Sequence, residues 1–419
     1  MQTEQGRTRS YRSIRRSKIV SLSMMLLAVT TAASLWQVRA TAQGLSQQVI
    51  WHSSTPITSI SLNDNGWAVW SSGLGFNSQV YLYNGSTVTP LGTAGHDNKD
   101  ARINNNDWVV WTAYTSDFST TQIQAWKDGG TPSFISLNTD IGPSDEADSA
   151  TINNLNQIAW HGQAGGDGID DIFFLRPGDT QATDLTIWDT EGDSTGPRLS
   201  DTGLLSYERT TGNVPGGETN LILSVLDTSG ATPQMTAAYQ ITNSSELNVL
   251  NGGINNDGRL VWYQYNEQAG KWDVWSFDPA TGNAVDLSQS IFDEFGDPNQ
   301  GDPTINNDGD IAWFNNYFDS SSKFHQDLYW YIGDGPQLVP IDSSNLRNAP
   351  VAINNTGDLL YATGNGSSTG YDLVLAQGLP LGEVPSPSPT VPEPGMLALT
   401  GALLLPGIGF LRSLRRKTA

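Results

Sequence analysis

The chain has 419 residues, 43 of them acidic against 21 basic, with a formal charge of −22 and no cysteine. Without cysteine there is no disulfide framework, no thiolate metal site and no cysteine nucleophile. The acidic balance argues against a nucleic-acid partner, because such a surface repels phosphates rather than releasing their counterions.

In chain order, residues 1–42 read as a signal peptide. Arg7, Arg9, Arg12, Arg15, Arg16 and Lys18 precede the apolar run Ile19 to Trp36, and Ala40-Thr41-Ala42 supplies the small-x-small pattern that signal peptidase cleaves. Cleavage is expected after Ala42, with Sec export. Arg15-Arg16 is not followed by the residues that would complete a twin-arginine signal. With both terminal signals set aside, residues 43–411 hold 10 basic residues against 42 acidic ones, so the exported surface is more acidic than the whole chain.

Residues 43–379 repeat. An apolar residue followed by Asn or Ser, then a turn-forming group, then an aromatic eight positions on, starts at Leu62, Ile103, Ile152, Leu199, Ile254, Ile305 and Ile353. The eighth residues are Trp70, Trp111, Trp160, Tyr207, Trp262, Trp313 and Tyr361. The clearest copies are Ile254-Asn-Asn-Asp-Gly-Arg-Leu-Val-Trp262 and Ile305-Asn-Asn-Asp-Gly-Asp-Ile-Ala-Trp313, and the spacings run from 41 to 55 residues. That period predicts a propeller blade of four short strands. In the fifth copy 253–255 is expected to end the first strand, with the second, third and fourth at 260–265, 273–277 and 284–287. Asn256-Asp257-Gly258 makes the first hairpin turn, because its residues tolerate or require positive φ. Position six is always aliphatic or alanine (Ala68, Val109, Ile158, Leu205, Leu260, Ile311, Leu359) and shares a strand face with the aromatic two later, so these pairs are expected to pack between neighbouring blades.

The fold expected is all-β: a β-propeller, with seven blades of four short antiparallel strands. The repeat resembles the TolB-like, WD40-like propeller unit, in which an SPDG-type turn precedes a short apolar strand ending in an aromatic. The last copy supplies only three strands, whereas Gln47 to Ser53 precedes the first complete copy. The N-terminal segment is therefore expected to pair beside Tyr371 to Ala376 and close the ring.

Chemistry within the repeats is sparse. His52, His96, His161 and His325 fall at different repeat positions without metal-ligand spacing and read as surface or loop residues. There is no nucleophile elbow, Walker loop or HExxH. The connections between blades are long and acidic, which places an expected site on the loop face. Two carboxylate clusters are candidate metal ligands with calcium as the expected cation: Asp167, Asp170 and Asp171 in a glycine-rich loop, and Asp293, Glu294, Asp297 and Asp302 between blades. No other cofactor is indicated.

Residues 380–390 form a Pro/Ser-rich spacer of polyproline II character. Residues 391–419 follow as Val391-Pro392-Glu393-Pro394, an apolar run from Gly395 to Leu411, and the basic residues Arg412, Arg415, Arg416 and Lys417. This three-part tail resembles the PEP-CTERM sorting signal, which implies an exosortase partner besides signal peptidase. The apolar run, as a helix rising 1.5 Å per residue, only just spans a hydrocarbon core of roughly 30 Å, and Pro406, Gly407 and Gly409 weaken it, so a transient inner-membrane anchor is expected. The composite expectation is an exported envelope or extracellular-matrix protein, a non-enzymatic binding or structural propeller that contacts glycan or protein. The alternative is an extracellular polysaccharide hydrolase or lyase that uses acidic loop residues.

Overall fold

A computed structural model describes residues 46–378 apart from 74–76, 116–120, 131–132, 135–146, 164–167, 188–191, 212–217, 244–248, 267–268, 290–298, 319–320, 323, 332–335, 339–349 and 365–369. Among the described residues, twenty-eight strands form seven four-stranded antiparallel sheets. The first strand, β1 (Ser46–Ser53), belongs to the last blade. Blade 1 is β2 (Ile57–Leu62), β3 (Ala68–Ser72), β4 (Gln79–Tyr83) and β5 (Val88–Pro90). Blade 2 is β6 (His96–Ile103), β7 (Trp108–Thr115), β8 (Thr121–Lys127) and β9 (Ser133–Phe134). Blade 3 is β10 (Ala147–Ile152), β11 (Ile158–Gln163), β12 (Asp170–Leu175) and β13 (Thr183–Asp184). Blade 4 is β14 (Ser194–Leu199), β15 (Leu204–Thr211), β16 (Glu218–Asp227) and β17 (Gln234–Gln240). Blade 5 is β18 (Val249–Ile254), β19 (Leu260–Asn266), β20 (Lys271–Asp278) and β21 (Asn283–Asp286). Blade 6 is β22 (Asn299–Ile305), β23 (Ile311–Phe318), β24 (Phe324–Tyr331) and β25 (Pro336–Leu338). Blade 7 is β26 (Val351–Ile353), β27 (Leu359–Gly364) and β28 (Tyr371–Gln377), completed by β1.

The repeat aromatics are the core. Trp70, Trp111, Trp160, Tyr207, Trp262, Trp313 and Tyr361 are all buried, and each packs on the preceding blade. Val109 and Trp111, for example, meet Val69 and Val80 of blade 1, and Ile311 and Trp313 meet Val261 and Val274 of blade 5. The residue between each such pair turns the other way and packs on the following blade, as Val110 does against Trp160. Period-two alternation along one strand thus glues a blade to both neighbours.

Ring closure follows the sequence expectation. β1 pairs antiparallel with β28, with Val49 opposite Val374 and Trp51 opposite Leu373, so the termini of the ring share one sheet. Trp51 also stacks across onto blade 1, 5.7 Å from the Trp70 ring and 4.9 Å from Tyr81. The seam is therefore held by both a ladder and an aromatic cluster.

The first hairpin turn of every blade has one positive-φ residue: Gly66, Asp107, Asn156, Gly203, Gly258, Gly309 and Gly357. Blades 2 and 3 use Asp107 (φ 62°) and Asn156 (φ 59°), the side chains that best tolerate this region after glycine. In six turns the first Asn accepts from backbone N–H groups of its own turn: Asn104 Oδ1 takes the N–H of Asn106 (3.0 Å) and of Trp108 (3.0 Å). In five of them its amide also donates to the next blade: Asn63 to the Asn104 carbonyl, Asn104 to Asn153, Asn153 to Ser200, Asn306 to Asn354 and Asn354 to Asn63, at 2.8–3.1 Å.

The second turn residue makes a complete circle. The backbone N–H of Asp64 donates to Asn105 Oδ1, Asn105 to Asn154, Asn154 to Asp201, Asp201 to Asn256, Asn256 to Asn307, Asn307 to Asn355 and Asn355 to Asp64, at 2.6–3.0 Å. Short side chains carrying an oxygen at that reach are needed for this geometry, and the second turn position is accordingly Asn in five blades and Asp in two.

Two expected outcomes test these joints. Asn104→Ala removes bonds to both its own turn and blade 3 from a buried position, and is expected to cost about 2–3 kcal/mol in denaturant unfolding. Asn104→Ser, which copies blade 4, is expected to cost less. A chain beginning at Ser54 loses β1, and is expected to melt lower and to associate through the uncovered β28 edge, read by light scattering. A monomer of unchanged midpoint would count against the seam.

Candidate functional site in the central channel

The innermost strands β2, β6, β10, β14, β18, β22 and β26 surround a central cavity of about 560 Å³. Several of these strands carry a bulge. Ladder register shifts between Lys99 and Arg102, Asp148 and Thr151, and Thr195 and Arg198, leaving Asp100 (φ 55°), Ser149 (φ 53°) and Gly196 (φ 57°) in the left-handed region. Bulges re-aim side chains, and non-glycine residues held there are costly enough to be informative. Here the bulge residues Asp100, Ser149 and Gly196 and the residues two further on, Arg102, Thr151 and Arg198, line the cavity.

The cavity wall is lopsided. Asp100 and Arg102 of blade 2, His161 of blade 3, Arg198 and Glu208 of blade 4 and Tyr263 of blade 5 form one charged arc. Blades 6, 7 and 1 contribute small or neutral groups such as Thr304, Ala352 and Ser61. Two repeat positions generate this arc. The residue just before the repeat start is Ser61, Thr151, Gly253, Thr304 and Ala352 in five blades but Arg102 and Arg198 in two. The residue just after the repeat aromatic is His161, Glu208 and Tyr263 in blades 3–5.

Burial governs the electrostatics. Desolvation lowers Arg102, and it brings Arg198 down to about 10 with Arg102 adding like-charge repulsion. The Glu208 carboxyl is raised by burial, against the opposing hydrogen bond from the Asn251 N–H at 2.7 Å and the charge of Arg198. Asp100 is raised by burial and then by Asp148, with Arg102 pulling the other way. His161 is lowered by burial, opposed by Asp148, and its buried Nδ1 has no hydrogen-bond partner among the described residues.

The histidines correct the sequence expectation. His52, His96, His161 and His325 all stand in strands rather than loops, and His161 lines the channel. The first strand of a blade faces the axis, and the start of the second can too, a fact that surface-or-loop reasoning from single-residue spacing does not capture. His52 is exposed, as expected, with Nδ1 2.8 Å from Asp372 Oδ1.

Of the carboxylates expected to bind metal, Asp170 and Asp171 are consecutive on β12 and so leave opposite faces of blade 3. Asp171 is buried, and its Oδ1 accepts from Thr186 Oγ1 at 2.7 Å. Asp302 is in β22. Asp167, Asp293, Glu294 and Asp297, the cleavage residues Ala40 and Ala42, and the whole tail with Val391, Pro392, Glu393, Pro394, Arg412, Arg415, Arg416 and Lys417 lie outside the described residues. Among the described residues no group of three or more His, Asp or Glu is arranged to hold a metal ion, and no helix is long and apolar enough to cross a membrane.

No protein-family model matches the chain, and no curated protein matches it in sequence. Solved structures do match in fold. Oligogalacturonate lyase from Vibrio parahaemolyticus aligns at TM-score 0.52 and 10% identity over 80% of this chain and 97% of its own. The β-propeller domain of the Trilobed protease from Pyrococcus furiosus aligns at 0.52 and 8% over 79% and 95%. TolB from Acinetobacter baumannii aligns at 0.44 and 13% over 75% and 80%. At these identities the first two likenesses establish the propeller fold alone, and one fold hosts many unrelated functions.

The lowered imidazole of His161 makes a signed prediction. Its folded value lies below the ordinary 6.5, so the stability it contributes is fully present above 6.5 and is lost as pH falls through the folded value. His161→Asn is therefore expected to keep more of its thermal midpoint than the parent protein on going from pH 7 to pH 5. Identical losses in the two proteins would mean that His161 does not titrate in a desolvated channel.

Proposed function

We propose that the protein is an exported, non-enzymatic binding propeller, sorted to the envelope or extracellular matrix through its PEP-CTERM tail, whose ligand seats in the central channel. The observation that carries the binding half is the charged arc from Asp100 to Tyr263, held in a ring closed by one circle of hydrogen bonds and by β1. A cavity of about 560 Å³ with a few convergent polar groups is the usual setting for a small ligand. The export half rests on the two terminal signals read from the sequence.

Intact mass of protein recovered from the native envelope or medium tests the sorting reading, with loss of both residues 1–42 and the basic end expected. Retention of Arg415 to Lys417 in the final product overturns it. Glycan-array binding by the purified protein tests the channel, with Thr304→Trp as a plug opposite the charged arc. Binding abolished by the plug without a change in thermal midpoint is the expected result, and binding indifferent to it moves the ligand off the channel.

One observation favours a second reading, polysaccharide cleavage in the same channel. Asp100 and Glu208 both line it, and both are raised toward values at which a carboxyl can donate a proton. Product release from a panel of acidic polysaccharides, lost in Glu208→Gln, would support cleavage over simple binding.

A further inference from the structure

Arg102 and Arg198 occupy equivalent positions in blades 2 and 4 and turn toward the same cavity. A guanidinium carries five N–H donors in a planar fork. Arg102 uses Nη1 alone, on the Ile60 and Ala101 carbonyls at 3.4 Å each, and Arg198 uses Nη1 on the Pro197 carbonyl at 2.9 Å. Neither reaches a carboxylate to form an ion pair among the described residues. The neighbouring acids Asp100 and Glu208 act on the arginines through charge, but neither forms an ion pair with them among the described residues, and Glu208 Oε1 is held by the Asn251 N–H while Oε2 lies 3.5 Å from Thr195 Oγ1. Two like charges thus face one cavity with most of their donors unspent, an arrangement whose repulsion a bound anion relieves.

The rest of the wall describes the other part of the ligand. Ser61, Thr151 and Thr304 offer hydroxyls between the arginines and across from them, and Tyr263 offers an aromatic ring beside them. Hydroxyls that both donate and accept suit a partner that does the same. His161 also lines the cavity, and its Nδ1 is buried without a hydrogen-bond partner among the described residues.

We infer that Arg102 and Arg198 together hold the oxyanion of a hydroxylated small ligand, a sugar acid or a sugar phosphate, with His161 and the Ser and Thr hydroxyls taking its hydroxyl groups. This inference rests on the channel-binding reading and narrows its ligand class. Both oxyanions match the guanidinium fork, so their chemistry is shared and only binding separates them. Such a site would sit in a chain whose formal net charge is −22.

Calorimetric titration of the purified full-length protein with D-glucuronate, D-glucose 6-phosphate and D-glucose tests it. One of the anionic sugars is expected to bind and glucose is not, and whether the acid or the phosphate binds identifies the oxyanion. Arg102→Gln and Arg198→Gln are each expected to weaken that binding by about tenfold or more, the loss of a charge-assisted bidentate contact. Should Arg198→Gln lower the thermal midpoint, Arg198→Lys supplies the comparison, keeping charge but not the fork, with affinity expected between parent and Gln variant. Glucose binding as tightly as the anions, no binding of any of the three, or Gln variants that bind like the parent would overturn the inference. A ligand from the glycan array that is lost with Thr304→Trp but indifferent to both Gln variants would leave the channel reading standing while removing this one.

Discussion

The whole ring depends on a hydrogen bond that crosses from each blade to the next at the tight-turn face. A blade is a small twisted sheet with two apolar faces, and burying those faces does not by itself fix how far one blade rotates on its neighbour. The circle running from Asp64 through Asn105, Asn154, Asp201, Asn256, Asn307 and Asn355 back to Asp64 does fix it, because each backbone N–H must meet a side-chain oxygen at 2.6–3.0 Å. Each such bond contributes only about 1 kcal/mol net, but a missing partner at a buried turn costs more than the bond gains. Asp64 and Asp201 add to the circle by accepting from flanking asparagine amides, such as Asn355 Nδ2 on Asp64 Oδ2 at 2.8 Å and Asn154 Nδ2 on Asp201 Oδ2 at 2.9 Å.

A ring fixed in this way can carry an irregular interior. The bulges at Asp100 and Ser149 hold non-glycine residues at positive φ, and the channel keeps two arginines, a histidine and two carboxyls away from bulk water. Such groups are destabilising on their own account, and the aromatic layers between blades offset them. The division of labour is spatial. Identical turns on one face and aromatics between blades hold the scaffold, whereas the positions that break the repeat line the axis.

That division explains what reading the chain could and could not find. The strand pattern of blade 5 was legible almost residue by residue: 260–265 and 273–277 lie within the observed Leu260–Asn266 and Lys271–Asp278, because alternation and turn residues are local properties. Closure by the N-terminal segment was legible too, as a count of strands against blades. The channel site was not, although its signal is present as Arg102 and Arg198 at a position that is small or neutral in the other five copies. Recognising it requires knowing that this position faces the axis, which the repeat alone does not say. The acidic loops are more conspicuous in composition, as are Asp170 and Asp171, whose adjacency places them on opposite faces of β12.

The sequence by itself determined the elements, their number and their order, since hydrophobic period, turn chemistry and the spacing of seven aromatics are all written in near neighbours. It also determined which residues could link blades, because Asn-Asn recurs at a fixed place in the turn. Only the tertiary structure decided which charges share a space. Arg102, His161, Arg198 and Glu208 are separated by tens of residues and come together solely because seven similar units close on one axis. Their shifted protonation follows from that closure, as burial and mutual proximity are properties of the ring and of no single repeat.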